Sequence, residues 1–438
     1  MEDVDIRDIN GAMSSKATSI SVAILSWAVL ALCPQIACAL GDYRDILDKA
    51  LTGQEELPTF DRDTLSVYAR DQYSYETNLY RLPANVNIAS VVGPRATGED
   101  HINSASLGLD GQWNVGRQIL GLDLRADDNR FTRNGNLDNT SGNDKFLWDW
   151  RVGDQFSGEA GAYYYSALAS FVNSDTYTKN LISSDGYYGT ARYQVGPRWA
   201  VYAGLLESQV DLTAEASKSN NNRSKIVQLG TELTIGPSSS VGWEYRFTDL
   251  AFPHTDLING SGALTDYKED LGRFLLKYAI SDKTSLDANA GYLKRDYVNS
   301  NIPSFSGDVW HIALQWLPTD RTQLLIEGWR HLQVYLTAQT EYFVSKGISL
   351  SPVWTHSEKL NIAAVLSHDN QNYADSGLGI VGIQNRRDTV TAGQVAVTYA
   401  PFKAVTLTFS YRHELRNSNE AQFKYDDNLV LAGVMVRH

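Results

Sequence analysis

Cysteine is almost missing from this 438-residue chain: Cys33 and Cys38 are the only two, both near the N-terminus. Disulfides therefore cannot brace the remainder. Methionine is scarce at three residues. Long hydrophobic runs are lacking too. One stretch, from about Ile20 to Leu32, is apolar enough to be a helical span, and with a mean hydropathy of -0.30 an α-helical membrane protein is disfavoured. There is no excess of positive charge. A net charge of -13 gives no footprint of a nucleic-acid-binding protein. Absent as well are a metal-ligand cluster, a phosphate-binding glycine loop and a nucleophile elbow, so the sequence implies no cofactor and no metal.

The one apolar run has the anatomy of a secretory signal. Lys16 precedes it, Pro34 breaks it, and Ala37-Cys38-Ala39 supplies a small-x-small cleavage pattern before Leu40. Residues 1–39 are therefore expected to be a signal peptide, leaving no cysteine behind. Leu32 before Cys33 and Gln35 ahead of Cys38 fit a lipid-attachment site badly. Glu2, Asp3, Asp5 and Asp8 suit a signal's start poorly, which makes Met13 the expected first residue. Residues 40–63 show brief helical spacing at Ile46, Leu47 and Leu51, then turn signals, and read as a short periplasmic segment.

What the chain has in quantity is aromatic residues, 24 Tyr, 13 Phe and 10 Trp, set on strand-like alternation. Phe305 to Leu336 shows it best. Trp310, Ile312, Leu314 and Trp316 fall on one face, with Val309, His311, Ala313 and Gln315 on the other, which is the period of a strand. A turn at Pro318 to Arg321 follows, and the alternation resumes through Leu324, Ile326 and Gly328 against Gln323, Glu327 and His331. The apolar face of the first strand begins and ends in tryptophan, as a strand does where hydrocarbon meets headgroups.

This hairpin repeats. About eighteen strands of roughly 11 to 15 residues, near the length a tilted membrane strand needs, begin near positions 65, 102, 119, 144, 157, 181, 199, 225, 240, 267, 284, 306, 322, 341, 358, 386, 404 and 423. Short turns are expected at 115–118, 153–156, 196–198, 236–239, 281–283, 318–321, 353–357 and 401–403. They alternate with polar loops at 76–101, 132–143, 171–180, 214–224, 251–266, 298–305 and 371–385. Short turns at one rim and long loops at the other predict an all-β fold: a transmembrane antiparallel β-barrel over residues 64–438 in the bacterial outer membrane.

The faces support this. Leu120, Leu122 and Leu124; Phe146, Trp148, Trp150 and Val152; Val241, Trp243 and Tyr245; and Phe274, Leu276 and Tyr278 are expected to meet lipid. Opposite them stand Asp123, Arg125, Asp149, Arg151, Glu244, Arg246, Arg273, Lys277, Arg295, Glu327 and Arg412, the candidate pore-lining residues. Lipid forces every backbone group to find a partner, and only closure removes sheet edges, so the charged face becomes a lumen. Such charges could form a polar track for a hydrated glycan. Any single one is more simply a brace for the wall. Tyr163 and Tyr165 could stack on sugar rings or belong to a girdle. The Asp- and Asn-rich segment 127–144 could offer oxygen ligands to calcium, yet it lacks DxDxDG spacing and reads as turn formers. Thr355-His356-Ser357 and Ser367-His368-Asp369 set a hydroxyl beside imidazole, but neighbours in a strand point to opposite faces, so neither triplet is a catalytic pair.

The chain also resembles the EpsL-type outer-membrane proteins encoded with exopolysaccharide biosynthesis genes, a β-barrel porin group. The resemblance rests on the run Tyr75 to Pro83 (YETNLYRLP), then Gly116-Arg117-Gln118, Asn129-Arg130-Phe131, Leu137-Asp138, Trp148-Asp149-Trp150 and Ser157-Gly158. It continues through Gly291 to Arg295, Phe305-Ser306-Gly307, Trp329-Arg330, Tyr411-Arg412 and Arg416 to Asn419. Glu76-Thr77 stands where that group tends to have paired aspartates, and Arg437-His438 stands where an outer-membrane barrel usually closes on an aromatic residue. The resemblance implies a non-enzymatic channel exporting a secreted polysaccharide, working with outer-membrane lipid around it and periplasmic polysaccharide-export proteins beside it. A general or oligosaccharide-uptake porin, and a barrel enzyme acting on envelope lipid or glycan, are the alternatives.

Overall fold

The computed structural model describes residues 63–172, 177–254, 266–298, 304–337, 340–374 and 385–438. The expected signal peptide, the Met13 start, both cysteines and nearly all of the 40–63 segment lie outside them.

Eighteen strands appear among the described residues: β1 (Thr64–Glu76), β2 (Asp100–Val115), β3 (Gln118–Phe131), β4 (Asn139–Val152), β5 (Phe156–Leu168), β6 (Leu181–Gln194), β7 (Trp199–Leu212), β8 (Asn222–Gly236), β9 (Ser239–Ala251), β10 (Tyr267–Ser281), β11 (Thr284–Tyr297), β12 (Phe305–Thr319), β13 (Thr322–Thr337), β14 (Thr340–Ser357), β15 (Leu360–Tyr373), β16 (Arg387–Phe402), β17 (Val405–Ser418) and β18 (Tyr425–Arg437). Each pairs antiparallel with its sequence neighbours. The last pairs with the first, from Tyr68 opposite Arg437 to Glu76 opposite Leu429, which closes the sheet into a barrel without edges. No helix among the described residues is long and apolar enough to cross a membrane.

Burial is inverted relative to a water-soluble sheet. Phe274 and Leu107 are 71% and 67% exposed on the outer face, whereas Arg295 is 0% and Glu269 2% exposed on the inner one. The apolar rows expected to meet lipid stand outside: Leu124, Phe146, Trp148, Val152, Val241, Trp243, Tyr245, Phe274 and Tyr278 are all exposed. Tyr163 and Tyr165 face inward opposite Lys145 and Asn143, and Tyr164 between them faces out.

The short-turn rim is built from tight reversals. Val115 pairs with Gln118 around Gly116, whose φ of 64° suits the mirror-image turns that hairpin twist demands. A Cβ at Gly116 would meet nothing within 4 Å, so backbone conformation, not space, selects glycine here. Three expected turns shift by a few residues. Pro318, Pro352 and Pro401 lie inside β12, β14 and β16, and the reversals fall just beyond, at 320–321, 358–359 and 403–404. Proline donates no ladder hydrogen bond, and the register breaks beside Pro318 and Pro401, between Trp316 and Thr319 and between Tyr399 and Phe402. The expected turn at 353–357 is therefore strand.

At the long-loop rim the strands outrun the sequence reading. β4 begins at Asn139, not near 144, because Asn139 and Ser141 both accept from Asn129 Nδ2, at 3.1 and 3.0 Å, and extend the ladder in polar residues. Loop 77–99 carries a single helical turn, α1 (Ile88–Val91), with Ala89 N–H donating to the Asn87 side chain at 3.1 Å. Much of the expected loops 251–266, 298–305 and 371–385 lies outside the described residues.

Candidate functional site

All eleven candidate pore-lining residues share the inner face by register, but the structure gathers them into separate networks. Glu244 on β9 is the hub of the largest. Its Oε1 accepts from Arg273 on β10, Nη2 at 2.7 Å and Nε at 2.8 Å, and from Arg246 Nη2 at 3.3 Å. Its Oε2 accepts from Gln228 and, at 3.3 Å, from the Tyr202 hydroxyl. Arg295 on β11 is fully buried, with Nη2 and Nε 2.7 and 3.0 Å from Glu269 Oε2 and its guanidinium 4.1 Å over the Tyr267 ring. Arg412 donates to Glu414 at 2.6 Å, and Arg125 to Asp127 at 3.2 Å. Arg151 Nε stands 4.0 Å from Asp149, and Lys277 sits directly opposite Asp287. Glu327 accepts from Ser349 at 3.2 Å and lies 3.3 Å from His311 Nε2. Asp123 lies opposite Asp110 on one side and Lys145 on the other. A buried charge is tolerable only when paired, and Glu244 with Arg246 and Arg273, Arg295 with Glu269, and Arg412 with Glu414 meet that condition.

Cross-strand register assembles most of these pairs, so sequence reasoning placed the residues on one face without naming which would meet. Asp110, Glu269, Gln228 and Tyr202 carried the alternation signal, yet nothing local marked them as partners. Asp388 with Arg386 and Arg416 was missed altogether. Arg386 Nη2 donates to Asp388 Oδ2 at 2.6 Å, and Arg416 Nε donates to the same oxygen at 2.7 Å. Arg416 Nη2 also donates to the Tyr373 hydroxyl at 2.6 Å, and the Arg386 guanidinium lies 3.3 Å over the Phe423 ring.

Arg416 makes one further bond that shapes the mouth. Its Nη1 donates to the carbonyl of Val172 at 3.0 Å. Between β17, which carries Arg416, and β5, which ends at Leu168, lie six strand pairings through β18 and β1 to β4. Six inter-strand steps are about 29 Å along the wall, while the four residues from Leu168 to Val172 span at most about 14 Å. One arginine side chain cannot make up that difference around the curve. The segment therefore cuts across the interior. Phe171 fixes it, buried with Leu79, Tyr80, Leu82 and Leu137 from the loops after β1 and β3 and with Phe131 at the end of β3, and 4.9 Å from the Tyr80 ring.

The base of loop 77–99 is held by the run that carries the EpsL-type resemblance. Asn78 N–H donates to Asp427 at 3.0 Å, and Asn78 Nδ2 to the carbonyls of Leu82 and Asp426 at 2.8 and 3.0 Å. Arg81, at the left-handed φ of 55°, is 2.6 Å from Glu76 and 3.0 Å from Asp427. Burial opposes its charge, but the Glu76 and Asp427 carboxylates outweigh that and raise its pKa. Burial pushes the Tyr80 hydroxyl up to about 12. Glu99, at the far end of the loop, accepts from the Tyr75 hydroxyl at 2.6 Å and pairs with Arg133, and these hold its carboxyl below the usual range.

In segment 127–144, Asp138 accepts the Phe131 backbone N–H at 2.8 Å, as a turn former does, and Asp100 at the start of β2 accepts those of Arg133 and Asn134 at 2.9 and 2.8 Å. His368 lies on the outer face with Nδ1 3.0 Å from the Thr391 hydroxyl, while Ser367 and Asp369 face inward, where Asp369 accepts from Ser345 at 2.6 Å. His356 stacks edge-on to Trp354 at 4.8 Å.

Residues 275–438 match a family model described as "Putative beta-barrel porin 2". Comparison with the curated proteins finds no match to this chain. Among solved structures, OccAB3 of Acinetobacter baumannii aligns with 86% of this chain and 100% of its own at 9% identity and TM-score 0.47. OpdK of Pseudomonas aeruginosa, solved with vanillate, aligns with 85% and 99% at 10% identity and TM-score 0.48. A BenF-like porin of Pseudomonas fluorescens Pf-5 aligns with 86% and 100% at 9% identity and TM-score 0.48. The chain is a porin-like β-barrel of the outer membrane, where short turns face the periplasm and long loops the outside.

Proposed function

We propose that this barrel is a passive channel for small hydrophilic solutes, up to oligosaccharide size, that diffuse inward down their own gradient. The observation that carries this reading is the bar across the outer mouth, where Val172 meets Arg416. A mouth crossed by chain, over a wall of fixed paired charges, suits sieving of small polar molecules better than passage of a long polymer. The inward-facing Asp123, Arg125, Asp149, Arg151, Glu244, Arg246, Arg273, Lys277, Arg295, Glu327 and Arg412 would line the path, with the Glu244, Arg295 and Arg412 networks bracing it. Vesicle swelling tests it. Swelling rates should fall steeply from mono- to trisaccharide, with dextran excluded, and equal rates for trisaccharide and dextran would refute the sieve.

Export of a secreted polysaccharide, beside periplasmic export proteins, is the second reading, and the EpsL-type run Tyr75 to Pro83 supports it. Deleting the gene separates the two. Loss of surface polysaccharide with sugar uptake intact favours export, and the reverse favours the uptake channel. Replacing His331, His356 and His368 together should leave either channel working, and loss of function in the folded variant would favour an envelope-modifying enzyme.

A further inference from the structure

On the outer face of β13 and β14 the side chains change character along the strand. Starting from the short-turn rim, β14 presents Trp354, Leu350 and Ile348, all exposed, and then Lys346. β13 presents Thr322, Ile326 and Gly328 opposite them, Leu324 opposite the intervening Pro352, and then Arg330 directly opposite Lys346. Trp310 of β12 flanks Arg330 on its other side. The two cations therefore stand just beyond the apolar band on the long-loop side, beside a tryptophan, at the level of outer-leaflet headgroups.

Two like charges directly opposite on one face of a sheet repel. In every other described strand pairing a lysine or arginine meets an acid or an uncharged residue. Arg330 is partly compensated, since Nη1 donates to the Asp308 carbonyl at 2.6 Å and Nε lies 3.5 Å from the Asp308 carboxylate. Lys346 is exposed, and its side chain makes no hydrogen bond or ion pair among the described residues.

We propose that Lys346 and Arg330 clasp a phosphate of an outer-leaflet lipid headgroup, so that this stretch of wall is a specific lipid site. A phosphate oxygen set between the two cations turns their repulsion into attraction and accepts from both. The apolar rows beneath offer the acyl chains a continuous surface, which a free phosphate would not use.

Native mass spectrometry of the detergent-solubilised full chain tests this, titrating bisphosphorylated lipid A, its dephosphorylated counterpart and inorganic phosphate. The phosphorylated lipid should bind at least tenfold tighter than the dephosphorylated one. Lys346→Gln should abolish most of that preference, Lys346→Arg should keep it, and Lys268→Gln, an exposed lysine set between Asp249 and Asp296, should leave it unchanged. Heat-modifiable migration confirms folding, and conductance should not move because both side chains face outward. Equal binding of the two lipids, an unaltered preference in Lys346→Gln, or displacement of the lipid by inorganic phosphate at similar concentration would each overturn the proposal. Lys346 is exposed, so its single variant decides the matter should the double variant with Arg330→Gln fail to fold.

Discussion

Arg416 and Val172 stand 244 positions apart in sequence, and the guanidinium of one donates to the carbonyl of the other at 3.0 Å. The same guanidinium holds Asp388 at 2.7 Å, so the bar across the mouth is tied to the far wall by a side chain that the wall itself keeps rigid.

Removing that tie should open the channel. Arg416→Ala is expected to raise single-channel conductance in planar bilayers and to admit larger sugars, while costing about 3–5 kcal/mol of stability because Asp388 loses one of two buried partners. Unchanged conductance in a folded variant would mean that the bar does not narrow the path.

Glu244 is expected to be the most sensitive position of the inner wall. Glu244→Gln leaves Arg246 and Arg273 without their shared counter-charge, at about 3–5 kcal/mol. Urea unfolding of vesicle-inserted protein measures this. Adding Arg273→Met should recover part of the loss, because one stranded charge goes with it.

Phe274 tests which face meets lipid. It lies near the middle of β10 and is exposed, so Phe274→Arg should cost about 2–4 kcal/mol at the bilayer midplane. A neutral result in the same unfolding assay would place that row away from hydrocarbon.

Loop 77–99 should loosen in acid. The folded pKa of Glu99 is depressed by the Tyr75 hydroxyl and Arg133. Its contribution is therefore complete above the ordinary carboxylate value of about 4.3 and is lost as pH falls through the lower, folded value. Limited proteolysis of the loop should be flat from neutral pH to about 5 and quicken below. Glu99→Gln should be cleaved at the acid rate throughout.

Most strand positions were legible because alternation is local: Trp310, Ile312 and Trp316 announce β12 with no knowledge of any other strand. Errors fell where that signal fades. Asn139 and Ser141 lie above the apolar band, so β4 continues through residues that look like loop. Pro318, Pro352 and Pro401 look like turns, yet at a rim the strand can carry them through a lost ladder bond.

Sequence by itself determined the barrel and the alternation of an apolar with a polar face along its strands, since a period of two and the two rims follow from neighbouring residues alone. Tertiary structure alone decided that Arg295 meets Glu269, that three donors besides Arg246 converge on Glu244, and that Val172 crosses to Arg416. Those pairs depend on register between strands and on closure of the sheet, and residues far apart in the chain carry no local mark of the partner that closure brings them.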